Sequence, residues 1–190
     1  MPNMTENKTT RSDDKIRKAL LVIDVQENLL KPRSRIHMDP AKVTDLLSRV
    51  NKSIASFNDQ GELVIYTINE WTNPLLNFLT GNVCKKGEKG TRIDLQVTVV
   101  NNNIFHKSGN SAFTSNALAT FLKKESINVL YVTGLLGEAC IRSTVTDAIN
   151  QHYSVVVIED AVGSKNEKLK LRSIEHLRRK GAVIIKSDHL

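Results

Sequence analysis

A chain of 190 residues, 40% hydrophobic and with a formal charge of +7, is long enough for one well-buried core and too short for two comfortable domains. No apolar run approaches the roughly 20 residues that cross a bilayer, which argues against a membrane protein. The basic residues fall in small clusters such as Lys85-Lys86, Lys123-Lys124 and Arg178-Arg179-Lys180, without interleaved aromatics, which argues against a nucleic-acid partner.

Residues 1–14 are polar, lack the apolar segment of a secretory leader and read as a frayed tail; 15–190 read as a single domain. With no export signal and only two cysteines, Cys84 and Cys140, the expectation is reduced thiols and a cytoplasmic location. Ala19-Leu-Leu-Val-Ile-Asp24 is a continuous apolar run closed by an acid, as suits a central strand covered on both faces. An irregular connection leads to Pro40, after which Val43, Leu46, Leu47, Val50, Ile54 and Phe57 mark one face of a long helix ending near Gly61. Leu63–Thr67 is the second strand. Residues 69–100 read as a long irregular, mobile loop holding Trp71, Cys84 and Arg92. Asn103–Lys107 is a short third strand, and Ser115–Glu125 a helix with Ser115 as its N-cap. Val129–Thr133 is the fourth strand, broken by Gly134 and Gly137, with a helix from Cys140 onward. Ser154–Ile158, a helix over 166–180 and Ala182–Ile185 complete the pattern. Strand and helix alternate throughout, so the fold class is α/β: a three-layer sandwich around a six-stranded, mostly parallel sheet.

Three chemically active residues close strands at one edge of that sheet, the edge where open α/β folds bind ligands. Asp24 ends the first strand, Lys107 ends the third, and Cys140 follows the fourth across a turn. A thiol in the first turn of a helix is biased toward thiolate by the unpaired N–H groups and the macrodipole. An ammonium can hold that thiolate and a carboxylate can carry its proton, which makes a nucleophilic site. Each residue alone also fits a structural role: a capping Asp, a surface Lys, a small buried Cys.

Val-Ile-Asp24-Val-Gln, Lys107-Ser-Gly-Asn-Ser-Ala-Phe113 and Gly134-Leu-Leu-Gly-Glu-Ala-Cys140, followed by Thr144 and Asp147-Ala148, resemble the signature segments of the isochorismatase-like cysteine hydrolases. Val157-Ile-Glu-Asp160-Ala161 resembles the segment after them. The resemblance runs in order from Ala19 to Ile185. It implies the six-stranded parallel sheet, an Asp24–Lys107–Cys140 triad, a cis peptide at Leu135–Leu136, and an oxyanion hole from the backbone N–H groups of Leu136 and Cys140. It also implies a homo-oligomer. The function implied is hydrolysis of an amide or related C–N bond of a small-molecule substrate through a thioester. The rival readings are isochorismatase-type vinyl-ether cleavage and an α/β binding protein without catalysis.

This sequence departs from the metal-binding nicotinamidases of that family, which carry an Asp-x-His pair and a further His where it reads Asn69 to Thr80. The five histidines show no two-ligand spacing. The expectation is therefore no metal and no cofactor. Gly137-Glu138 replaces the Thr-Asp that many members carry before the nucleophile. Trp71, Arg92 and Leu29 are the pocket candidates: an aromatic wall, a fork for a carboxylate and an apolar contact. Packing, a solvated loop and core burial are their respective alternatives. Cys84, set among lysines, has no evident partner.

Overall fold

The computed structural model describes residues 15–31 and 36–190. The tail expected over 1–14 lies outside the described residues. The strands are β1 (Lys18–Ile23), β2 (Leu63–Asn69), β3 (Ile104–Lys107), β4 (Val129–Gly134), β5 (Ser154–Val162) and β6 (Val183–Ile185). They form one sheet in the order β3-β2-β1-β4-β5-β6, and every pairing is parallel. The helices are α1 (Glu27–Leu30), α2 (Val43–Asp59), α3 (Pro74–Thr80), α4 (Asn116–Lys124), α5 (Arg142–Asn150) and α6 (Glu167–Arg179). This is the doubly wound α/β sandwich.

Alternation along β1 divides the core. Leu20 and Val22 pack with Leu46, Leu47, Val50, Ile54 and Phe57 of α2. Ala19, Leu21 and Ile23 pack on the other face, with Leu118 and Leu122 of α4, Val145 of α5 and Leu177 of α6. A strand with helices on both faces has no solvated side, which is why Ala19 to Ile23 read as an unbroken apolar run. Burying each of the larger side chains contributes about 1.5–3 kcal/mol.

The structure differs from the sequence expectation at several points. The loop after β2 is not wholly irregular, because α3 lies within it. Asn73 Oδ1 accepts from the N–H groups of Leu75 (2.9 Å) and Leu76 (3.1 Å), Pro74 opens the first turn, and Gly81 closes the helix with φ of 72°. Ser115 occupies the N-cap position of α4, but its side chain makes no capping bond. β5 runs on to Val162, past Glu159 and Asp160, through a register shift opposite Val132 and Gly134. Asp160 is useful there, since it accepts from both the N–H and the hydroxyl of Ser187 at 2.8 Å. Cys84 lies in the irregular stretch after α3, but its side chain is buried. It is 1% exposed in the core beside α2, and burial raises its thiol pKa.

Gly134 ends β4 at φ +115°, where an added Cβ would meet the Ile23 carbonyl oxygen at 2.1 Å. Only glycine lets β4 press this closely on β1 before the chain turns toward Cys140. Gly134→Ala is expected to cost about 3 kcal/mol or more through backbone clash and strain. Gly61→Ala, at φ +68° with nothing within 4 Å of its Cβ, should cost about 1 kcal/mol. Urea-unfolding midpoints of the two variants, at unchanged slope, check the difference.

Candidate active site

Parallel strands bring their carboxyl ends to one edge, and β1, β2, β3 and β4 each deliver a polar group there. Asp24 follows β1 with a left-handed φ of 52°. Its N–H donates to the Thr67 carbonyl at 3.2 Å, and its Oδ1 accepts from the Thr67 hydroxyl at 2.8 Å. Its side chain is wholly buried. Lys107, the last residue of β3, is equally buried, with Nζ 2.8 Å from Asp24 Oδ2. That ammonium also donates to the carbonyls of Gly109 (2.7 Å) and Asn110 (3.1 Å) and lies 3.5 Å from Cys140 Sγ. Acid, cation and thiol therefore meet, although 83 and 33 residues separate them along the chain (107 − 24 and 140 − 107).

Cys140 does not open a regular α-helix. It sits in a single π-helical turn, Gly137–Ile141, ahead of α5. The peptide bond Leu135–Leu136 before that turn is cis. Among the described residues the Leu136 N–H makes no backbone hydrogen bond. Ala112 N–H donates to Thr144 Oγ1 at 2.8 Å, tying the turn after Lys107 to α5.

The ionisation also differs from the sequence reading. Burial, reinforced by the charge of Asp24, pushes the Cys140 thiol up to about 12, and Lys107 only partly offsets this. Desolvation in a site 7% exposed outweighs the helix terminus. For Lys107, burial works against the ammonium, but the charge of Asp24, joined by Cys140 once that thiol ionises, prevails and raises its pKa. The resting site is therefore an Asp24–Lys107 ion pair beside a protonated thiol.

Asn69, which closes β2, is a member of the site that the sequence reading missed. It is 1% exposed, its Nδ2 faces Cys140 Sγ at 3.9 Å, and its Oδ1 is buried without a partner among the described residues. Gln26 holds its backbone on both sides: Oε1 accepts from the Asn69 N–H (2.9 Å) and Nε2 donates to the Asn69 carbonyl (3.1 Å). The only signal in the sequence was position, since Asn69 lies at the same strand edge as Asp24 and Lys107.

The pocket candidates separate. Trp71 is 8% exposed and forms, with Leu76, Leu136 and Ala139, the wall of a cavity of about 450 Å³ bounded by the turn that carries Cys140. Ser108, Gly109 and Asn110, which follow Lys107, close its other side. Arg92 does not reach this cavity, because its guanidinium pairs with Glu27, which Lys31 also contacts at 2.7 Å. Leu29 is a core residue packed with Leu30 and Met38.

A family model described as the isochorismatase domain matches residues 18–189. The chain is 28% identical over 154 residues to isochorismatase family protein 1A of Dictyostelium discoideum, covering 77% of this chain and 73% of that protein. Its fold is similar to the crystal structure of an isochorismatase family protein from Desulfovibrio vulgaris, with TM-score 0.82 and 21% identity over 91% of this chain and 95% of that one. It is also similar to N-carbamoylsarcosine amidase from Thermoplasma acidophilum, with TM-score 0.78 and 23% identity over 92% and 99% of the two chains.

Alkylation of Cys140 by iodoacetamide, located by peptide mass, is expected to be slow at neutral pH and still rising near about pH 10, because the resting thiol is held protonated. Asp24→Asn removes a charge that raises the thiol pKa, so the profile should move to lower pH. Lys107→Met removes the charge that lowers it, so the profile should move higher. A wild-type plateau already reached near about pH 7 would contradict this protonation state.

Proposed function

Because the chain belongs to the isochorismatase family, we propose that it is a hydrolase in which Cys140 attacks the carbonyl of an amide or related C–N bond in a small molecule. The observation that carries this reading is the buried Asp24–Lys107 ion pair in contact with the Cys140 sulfur. One ammonium in a desolvated site can balance one anion. Moving the thiol proton to Asp24 transfers the negative charge from oxygen to sulfur without changing the net charge of the site. The thiolate then forms only as the proton moves, which avoids a second buried anion.

The thiolate adds to the carbonyl carbon. The tetrahedral oxyanion is received by the N–H groups of Leu136 and Cys140, the first of which has no backbone partner among the described residues. Protonated Asp24 gives its proton to the leaving amine, the C–N bond breaks and a thioester remains. Asp24 next takes a proton from water, the hydroxide displaces the thiolate, the acid leaves, and Asp24 returns its proton to the Cys140 sulfur. The balance is amide plus water giving acid plus amine, with Asp24 and Cys140 restored. Lys107 stays cationic throughout, held by the Gly109 and Asn110 carbonyls. Asn69 holds the sulfur from the β2 side and presents Oδ1 near the reacting atoms.

A catalytic zinc does not fit the residues available. Among the described residues no three of His, Cys, Asp and Glu converge as ligands. After β2 the chain supplies Asn69, Glu70 and Trp71; Glu70 lies 3.1 Å from His106 Nδ1, and the Asn69 amide faces sulfur. No step is therefore routed through a metal.

Supporting observations include the similarity to an amidase of the same fold. The test is turnover of a panel of small primary amides and ureides, with intact-mass trapping of the acyl-enzyme after acid quench. Cys140→Ala should abolish both turnover and the mass adduct. Asp24→Asn should lower kcat by about 10²–10⁴-fold, the usual range for loss of a general acid–base. Turnover surviving in Cys140→Ala, or vinyl-ether cleavage surviving there, would sink the thioester mechanism.

A further inference from the structure

Asn69 is polar, buried and poorly paired, a combination that lowers stability unless something uses it. The residue is 1% exposed, and the one side-chain hydrogen bond it makes among the described residues runs from Nδ2 to Cys140 Sγ at 3.9 Å. Its Oδ1 is buried without a partner there. An apolar side chain of similar size would fill this place on β2 and leave no acceptor unpaired. The amide therefore calls for a reason of its own.

Its placement supplies that reason. Asn69 is the register partner of Lys107 across β2 and β3, so the two side chains leave the sheet on one face. Lys107 Nζ lies 3.5 Å from the same sulfur. Gln26, which has no solvent exposure, bonds both the N–H and the carbonyl of Asn69 and so fixes the mount from which the amide projects. A donor held in this way needs little rearrangement to meet charge as it appears on sulfur.

Charge decides what kind of donor fits. Asp24 from β1 and Lys107 from β3 are the charged groups that act on Cys140. Cys84, from the stretch after α3, is held as a thiol by burial, and Glu138, on the nucleophile's own turn, accepts from the Lys165 N–H. When the thiol proton moves to Asp24, Lys107 balances the new anion, and a second buried charge of either sign would upset that balance. A neutral amide adds a dipole and no charge. Its bond to a thiol is weak, whereas its bond to a thiolate is charge-assisted, shorter and about twice as strong. The gain comes only as the sulfur ionises, so it lowers the barrier without stabilising the resting site.

We propose that Asn69 is a fourth catalytic residue: an uncharged donor whose Nδ2–H closes on Cys140 Sγ as the thiol proton passes to Asp24, so that Lys107 and Asn69 hold the thiolate together. Its part in turnover rests on the hydrolase reading; its hold on the sulfur does not.

The test reads the sulfur first and needs no substrate. Alkylation of Cys140 by iodoacetamide is followed by peptide mass across about pH 8–10 in the wild type, Asn69→Leu and Asn69→Val. Both variants remove the amide but differ in volume, so an effect common to both belongs to the lost donor. Each is expected to react about threefold or more slowly at a given pH, the net of about a tenfold fall in thiolate and a gain in its nucleophilicity. Loosened packing would act the opposite way, exposing the thiol and speeding its reaction. Circular dichroism and melting temperature check that the variants fold. Turnover of an amide from the panel follows, in which kcat should fall about tenfold or more with KM little changed.

Alkylation at the wild-type rate or faster in the folded variants overturns the proposal, as does a change confined to KM. Slowed alkylation, with no amide hydrolysed by the unmodified enzyme, keeps the hold of Asn69 on the sulfur and sinks the hydrolase reading.

Discussion

One ammonium shared by two acids governs the site. Lys107 Nζ reaches Asp24 Oδ2 and Cys140 Sγ from a position with no solvent exposure. In a low-dielectric pocket a cation can neutralise one anion and no more, so carboxylate and thiolate are alternatives rather than companions. Two carbonyls, of Gly109 and Asn110, also accept from the ammonium and hold it in place. In the mechanism proposed, protecting the resting thiol and activating it have one electrostatic cause. The proton has a place to go, and the site stays neutral whichever way it moves.

The fold makes this arrangement possible by bringing four parallel strand ends together. β1 is hydrogen-bonded on both sides, to β2 and β4, so Asp24 leaves the sheet at its centre. Its left-handed backbone turns the chain immediately, and the Thr67 hydroxyl orients the carboxylate. Gln26 then extends the hydrogen-bonding pattern with its side chain, bonding the Asn69 backbone much as another strand would. On the other side, Gly134 permits close contact with Ile23, and the chain enters the turn that carries Leu136, Glu138 and Cys140. These constraints come from buried backbone and polar groups at the centre of the sheet.

The cavity bounded by the turn before Cys140 combines apolar and charged groups. Its apolar side comes from Trp71 and α3, within a segment whose sequence reads as loop, and its charged side from Glu138. α3 could have been read from Asn73-Pro74 and Gly81, a cap, a first-turn proline and a closing glycine, although only seven residues lie within it. Its short apolar stretch, Leu75-Leu76 and Phe78-Leu79, did not show helical period clearly enough against the surrounding glycines and lysines.

The sequence by itself determined the order of the six strands and the longer helices, the two-faced burial of β1, the strand-end positions of Asp24 and Lys107, and the place of Cys140 across the turn after β4, while the short helices α1 and α3 were not legible in its periodicity. These depend on local periodicity and on residues adjacent in the chain. Only the tertiary structure decided what each group experiences. Arg92 looked available until the fold set Glu27 beside it. Leu29 and Cys84 went to the core, and Asn69 came to the sulfur. Cys140, expected to be a thiolate from its place near a helix start, is held as a thiol by burial and by a carboxylate 116 positions away (140 − 24). Protonation and partnership are set by desolvation and by charges within a few ångströms, and those neighbours are chosen by strand packing rather than by sequence distance.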